Sequence, residues 1–193
     1  MPLIYITGNS GAGKSSVRKE LQHRGYEAHD TDDDGITTWI HTATGRSTER
    51  PEDESDRTKD WYDQHEWKMS RQKVEEFAKR AKSKLIFLCG SPSNADDMLD
   101  LYDKVVCLVV DRETLKDRIA SRTDHDFGKA PDELKSILGW HDSFQDRYKD
   151  YGAVMVNAAQ PLNKVVDEIL DKAIVDFSQL PNITDYSVQD HEK

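Results

Sequence analysis

Apolar runs and polar stretches alternate along the chain as short strand-like segments and longer helix-like ones. Leu3-Ile4-Tyr5-Ile6 opens the pattern, a continuous apolar run that predicts a strand over Leu3–Thr7. Val17 and Leu21 then fall at helical spacing, so a helix is predicted from Gly13 to His23, with Gly25 stopping it. A weak second strand at Tyr26–His29 leads into Asp30-Thr31-Asp32-Asp33-Asp34, and a short helical stretch is expected near Ile36–His41. Thr42–Asp60 is rich in charge and turn formers, which predicts a mobile or substrate-covering segment. Trp67, Val74, Phe77 and Ala81 keep helical spacing and predict one long amphipathic helix over Trp61–Ala81.

The second half repeats the rhythm. Leu85-Ile86-Phe87-Leu88-Cys89 reads as a strand broken by Gly90-Ser91-Pro92-Ser93, with a short helix near Asn94–Tyr102 and a strand over Val105–Val110 behind it. Asp111 is placed to cap the next helix, whose buried side is marked by Leu115 and Ile119. Thr123–Pro131 has loop composition, a helix is predicted over Asp132–Tyr148, Ala153–Val156 is a fifth strand, and Val165–Phe177 is a closing amphipathic helix. Strands alternating with helices predict an α/β fold with a mostly parallel sheet. One domain is expected over residues 1–177, with a substrate-covering segment at about 36–81, a lid at about 123–131 and a loose polar tail at 178–193.

Composition narrows the classes. A chain of 193 residues can bury one good core, and a formal net charge of −10 gives an overall field that repels nucleic acid and anionic membranes. The first residues carry no basic stretch, and no run approaches the ~20 apolar residues of a membrane span, so a cytoplasmic protein is expected, monomeric or homodimeric. Cys89 and Cys107 both lie in apolar runs, which predicts buried reduced thiols. His29, His65, His125 and His141 show no metal-ligand spacing and read as ordinary polar residues.

The chemistry concentrates in Gly8-Asn9-Ser10-Gly11-Ala12-Gly13-Lys14-Ser15, which fits G-x-x-x-x-G-K-[ST] directly behind the first strand, with Ser16 following. Glycines let the backbone turn tightly and aim its N–H groups at phosphate oxygens, and the helix behind presents its positive end to the anion. Lys14 is placed to reach the β- and γ-phosphates, and the Ser15 hydroxyl to ligate Mg²⁺. The third strand ends in Leu88-Cys89-Gly90 and lacks the aspartate of an ordinary Walker B motif. Asp30 and Asp32 are the replacements, because alternate residues on an extended segment point the same way. Arg118 and Arg122 stand four apart on one helix and so share a face. Trp39, Trp61 and Trp67 flank the region between and are read either as core or as a wall that stacks on a substrate ring.

The phosphate loop, Asp30-Thr31-Asp32, the Arg118…Arg122 helix running into a short lid, and Asn157-Ala158-Ala159-Gln160-Pro161 together resemble the small P-loop kinases. Shikimate kinase-like enzymes, gluconate kinases and nucleoside or nucleotide kinases are the nearest in pattern, and Thr44-Gly45-Arg46-Ser47 is similar to a stretch of shikimate kinases. The resemblance implies a five-stranded parallel sheet in the order 2-3-1-4-5, with ATP at the carboxyl ends of the strands. It implies Mg²⁺ on Ser15 and Asp30, an acceptor hydroxyl on Asp32, adenine beneath Arg118 and against Ala159, Gln160 and Pro161, and Arg122 on the transferred phosphate. The implied partners are ATP and a small-molecule acceptor. Two shikimate kinase stretches are missing, the Gly-Glu…Phe-Arg that supplies a substrate arginine and the Gly-Gly-Gly where this chain has Cys89-Gly90-Ser91, which speaks against shikimate itself. A GTPase lacks support, since Asn163-Lys164-Val165-Val166-Asp167 has the wrong spacing for a guanine motif. An ATPase or nucleotide-gated binding protein acting on a macromolecule through Thr42–Asp60 is the other reading.

Overall fold

The computed structural model describes residues 1–123 and 126–174. Five parallel strands form the central sheet: β1 (Leu3–Gly8), β2 (Glu27–Asp30), β6 (Ile86–Cys89), β7 (Lys104–Val109) and β8 (Val154–Asn157), in the order β2-β6-β1-β7-β8. That is the expected order 2-3-1-4-5, with β6, β7 and β8 as the third, fourth and fifth strands of the sheet. Alternation along each strand splits its apolar residues between two faces. Ile4, Ile6, Phe87, Val106 and Leu108 pack with Val17 and Leu21 of α1 (Lys14–His23), Leu115 and Ile119 of α4 (Arg112–Ser121), and Val165, Val166 and Ile169 of α7 (Leu162–Ile174). On the opposite face Leu3, Tyr5, Ile86, Leu88 and Cys107 pack with Val74 of α3 (Arg71–Ala81), Met98 and Tyr148. Cys89 and Cys107 are free and buried, and burial pushes both thiols up to about 12.

Three sequence expectations of secondary structure are corrected. Residues Thr37–His41, expected as helix, form strand β3, and a second, antiparallel sheet runs β4-β3-β5, with β4 at Ser47–Thr48 and β5 at His65–Met69. Thr37, Thr38, Trp39 and Ile40 are β-branched or aromatic, and in register with β5 they gain cross-strand partners, among them Trp39 opposite Trp67. The long helix over Trp61–Ala81 is therefore three elements: α2 (Lys59–Asp63), β5 and α3. Its breaks are chemical, because the Thr58 and Ser70 hydroxyls accept the N–H groups of Trp61 and Lys73 and start α2 and α3 afresh. The helix over Asp132–Tyr148 divides into α5 (Pro131–Gly139) and α6 (His141–Asp150) at Trp140. The short helix expected near Asn94–Tyr102 is present, as a 3₁₀ helix over Ala95–Leu101. Asp111 does cap α4, accepting the Thr114 N–H at 2.8 Å. Residues 124–125 of the expected lid, with His125, the last three residues of the closing helix and the 178–193 tail lie outside the described residues.

One contact sets where the second strand delivers its acidic turn. Gly90 lies against Thr31 so closely that an added Cβ would sit 1.9 Å from Thr31 Oγ1. The Thr31 N–H donates to the Cys89 carbonyl at 2.8 Å, and the Tyr5 hydroxyl donates to the Gly90 carbonyl at 2.8 Å. Gly90→Ala should therefore cost about 1–3 kcal/mol, the range of overpacking in a closed core. A lowered urea midpoint with an unchanged m-value is the expected outcome, and an unchanged midpoint would mean the turn moves freely.

Candidate active site

β1 ends at the phosphate loop, and the loop closes only because its glycines lack side chains. Gly11 and Gly13 have φ of +85° and +103°, and a Cβ on Gly8 would lie 2.9 Å from the Ala12 Cβ. The Ala12 N–H donates to the Asn9 carbonyl at 3.0 Å, tightening the turn. No side chain caps α1, in contrast to α2, α3 and α4, so no capping side chain takes up its first-turn N–H groups. Glycine backbone and an open helix start are the donor set that a phosphate needs. Lys14 bends back over the loop, donating to the Gly8 carbonyl at 2.8 Å and standing 3.4 Å from the Asn9 carbonyl. Burial holds its ammonium below the usual lysine range, while Asp32 and Asp30 pull the other way.

Ser15 and Asp30 come together, with the Ser15 hydroxyl donating to Asp30 Oδ2 at 3.5 Å. Arg18 stands 3.7 Å from the same oxygen, and Asp30 Oδ1 accepts the Asp32 N–H at 3.1 Å. Asp30 is buried, and burial raises its carboxyl above the ordinary range. Asp32 is exposed and lies in the turn after β2, so the pair faces Lys14 through a turn where an extended segment was expected. Trp67 Nε1 donates to Asp32 Oδ1 at 2.8 Å. A hydroxyl beside a desolvated carboxylate is a hard oxygen pair that fits Mg²⁺, which takes one or two protein oxygens and completes its shell from phosphates and water. Ser16 is exposed beyond this pair.

Both expected arginines reach the loop. Arg118 donates to the Ala12 carbonyl at 3.2 Å and to the Ala158 carbonyl at 2.7 Å, bridging the phosphate loop to the segment that carries Ala159, Gln160 and Pro161. Arg122 closes α4 and donates to the Ser10 hydroxyl at 3.3 Å. Gly128 follows with φ +93° and gives its N–H to Glu133 at 2.7 Å.

Three side chains that brace the site, Trp140, His141 and Glu133, have no signature in the sequence. Asn9 is buried and donates to the Ile137 carbonyl at 3.1 Å, while its Oδ1 accepts from Trp140 Nε1 at 3.1 Å. His141, expected as an ordinary polar residue, is 3% exposed and sits 3.3 Å from the Asn9 amide. The break between α5 and α6 is thus built around the phosphate loop. Glu133 of α5 also meets Arg50 and the Tyr62 hydroxyl, at 3.5 and 3.2 Å, joining the small sheet to the segment behind Arg122. Trp39, Trp61 and Trp67 form one cluster, with ring centroids 4.8 Å (Trp39–Trp61) and 5.2 Å (Trp39–Trp67) apart. All three are half-buried and stand outside both apolar cores. Among the described residues no group of three His, Cys, Asp or Glu side chains could hold a metal, and no helix is long and apolar enough to cross a membrane.

Comparison with known proteins agrees with this frame. Residues 4–139 match the model of a family described as AAA domain. Among solved structures, a gluconokinase from Sinorhizobium meliloti 1021 is similar at 21% identity and TM-score 0.52, covering 92% of this chain and 94% of that one. A shikimate kinase from Bacteroides thetaiotaomicron aligns at 17% identity and TM-score 0.58, covering 89% and 98%. Deoxyadenosine kinase from M. mycoides aligns at 17% and 0.50, covering 90% and 99%. These likenesses establish a shared fold. No curated protein matches the sequence.

Asp30 gives a test that needs no substrate. A carboxyl whose pKa is raised by folding binds more protons in the native state, so its contribution to stability falls as pH rises and reaches its minimum above the folded pKa. Asp30→Asn should therefore raise Tm at pH 7, where the parent carboxylate is ionised, and the gain should vanish near pH 3. A lower Tm at pH 7 would mean that the Arg18 contact outweighs the burial.

Proposed function

This chain belongs to the AAA domain family, and from that premise and the site's geometry we propose that it is a Mg²⁺- and ATP-dependent phosphotransferase acting on a hydroxyl (or phosphate) of a small metabolite. The observation that carries the reading is the convergence of Lys14, Asp30 and Asp32 at the mouth of an uncapped phosphate loop. Phosphoryl transfer asks the protein mainly to position groups and to neutralise charge, and these residues supply both.

In this reading the loop N–H groups and Lys14 hold the β- and γ-phosphates, Lys14 exchanging the Gly8 carbonyl for phosphate oxygens. Ser15 and Asp30 are the protein oxygens for Mg²⁺, which supplies charge neutralisation across the phosphates when bound. Asp32 accepts the hydroxyl proton as that oxygen bonds to the γ-phosphorus and the bond to the β-phosphate oxygen breaks, leaving ADP. Arg122, which donates to the Ser10 hydroxyl of the loop, is the arginine of the transferred group. Arg118, Ala159, Gln160 and Pro161 bound the base. The half-buried indoles of Trp39, Trp61 and Trp67 offer the acceptor an apolar wall beside Asp32.

A coupled ADP-release screen with nucleosides, nucleoside monophosphates, sugar acids, cyclitols and amino alcohols tests the proposal. Acceptor-stimulated ATP consumption supports it. ATP consumption that no small acceptor stimulates, with stimulation by a macromolecule, favours an ATPase or nucleotide-gated binding protein acting through Thr42–Asp60.

Three variants divide the roles. Lys14→Ala should abolish turnover and leave the fold intact, and wild-type rates from the folded variant would remove the loop from the reaction. Arg122→Ala should lower kcat by at least ~10³, the scale of an arginine acting on the transferring phosphoryl group, with KM for ATP little changed. Arg118→Ala, which loses the bridge from the Ala12 carbonyl of the loop to the Ala158 carbonyl beside the proposed base segment, should instead raise KM for ATP.

A further inference from the structure

We propose that Trp67 is a positioning residue for Asp32, fixing which carboxylate oxygen meets the acceptor. The inference rests on the role given to Asp32 above. Among the described residues three side-chain donors converge on Asp32 Oδ1: Trp67 Nε1 at 2.8 Å, Thr31 Oγ1 at 3.1 Å and Thr37 Oγ1 at 3.2 Å. They are not equivalent. The Thr37 hydroxyl has one proton and a shorter bond to the Thr31 carbonyl, at 2.7 Å. The Thr31 hydroxyl belongs to the neighbouring residue of the same turn and moves with it. The indole N–H makes the shortest bond of the three, has no second acceptor among the described residues, and comes from 35 residues along the chain.

Asp32 needs such a constraint. Its side chain is exposed, and the terminal torsion of an aspartate is broad and nearly two-fold, so an unrestrained carboxylate presents either oxygen in many directions. Pinning Oδ1 leaves Oδ2 to receive the hydroxyl proton. Trp67 is itself held by its cross-strand partner Trp39, with centroids 5.2 Å apart, and Ser93 binds its carbonyl from the far side through its N–H at 2.8 Å. The indole is therefore a rigid arm from the small sheet to the reacting oxygen. An acceptor lying on the Trp39–Trp67 wall contacts the ring whose N–H sets the base.

The test uses Trp67→Phe, which keeps an aromatic ring on the sheet and removes only the indole donor. Kinetics are measured with MgATP and whichever of adenosine, gluconate and shikimate gives the fastest ADP release. The expected result is a kcat lower by about 10- to 100-fold, the cost of small misplacement at a reacting group, with KM for ATP within about two-fold of the parent. In an Asp32→Asn background the same change should cost nothing further. A second measurement needs neither turnover nor acceptor: the Trp67 indole N–H resonance, identified by its loss in Trp67→Phe, should exchange slowly with solvent in the parent and shift and exchange fast in Asp32→Ala. Wild-type kcat in folded Trp67→Phe, additive losses in the double variant, or an indole resonance indifferent to Asp32→Ala would each overturn the inference. Normal kinetics in Asp32→Asn would instead overturn the role of Asp32 on which it rests.

Discussion

One row of the central sheet fixes the rest of the site. Asp30, Cys89 and Ile6 stand side by side in register across β2, β6 and β1, so the ends of three strands far apart in the chain arrive at one edge. Parallel pairing makes this possible, because every strand enters from the same side and releases its following loop at the other. A slip by one residue would turn each side chain to the opposite face and carry Asp30 away from the loop. Burial of both faces forbids that slip: Ile4 and Ile6 belong to one apolar layer, Leu3 and Tyr5 to the other.

Around that row, polar groups are desolvated where they meet the loop and open where a substrate must approach. Lys14 and Asp30 are both displaced from their ordinary titration ranges by burial, in the directions that disfavour their charges. Bound phosphate and a divalent cation are the charges that would relieve each of them. Asp32, by contrast, faces solvent and is ordered from outside the central sheet, through Trp67. The arginines meet the loop in two ways: Arg118 is tied to the Ala12 and Ala158 carbonyls, whereas Arg122 reaches the Ser10 hydroxyl from the end of its helix.

What was legible in the sequence was what local chemistry dictates. Glycine spacing, the continuous apolar run before it and the helical stripe behind it located the loop, and the alternation of apolar segments gave the five-stranded sheet. The small antiparallel sheet was not legible, because Trp67, Val74 and Ala81 sit seven apart and satisfy a helical period by coincidence across two elements. A five-residue strand is too short for its alternation to outvote that spacing. Nor could sequence show that Trp67 touches Asp32, that Trp140 and His141 brace Asn9, or that Glu133 joins Arg50 and Tyr62. These contacts join residues far apart in the chain, and no composition or period marks them.

The two cysteines gain a use from their place in the sheet. Each thiol is sealed beneath a helical layer and held far from its reactive thiolate form, so alkylating and disulfide-exchange reagents meet neither of them in the closed molecule. Cys89 sits beside Asp30 in the decisive row, and Cys107 lies two strands from it, on the other side of β1 and opposite Thr7. The chain thus carries an internal clock: the rate at which its native thiols become labelled counts how often the central sheet itself opens, and nucleotide that holds the loop closed should slow that count.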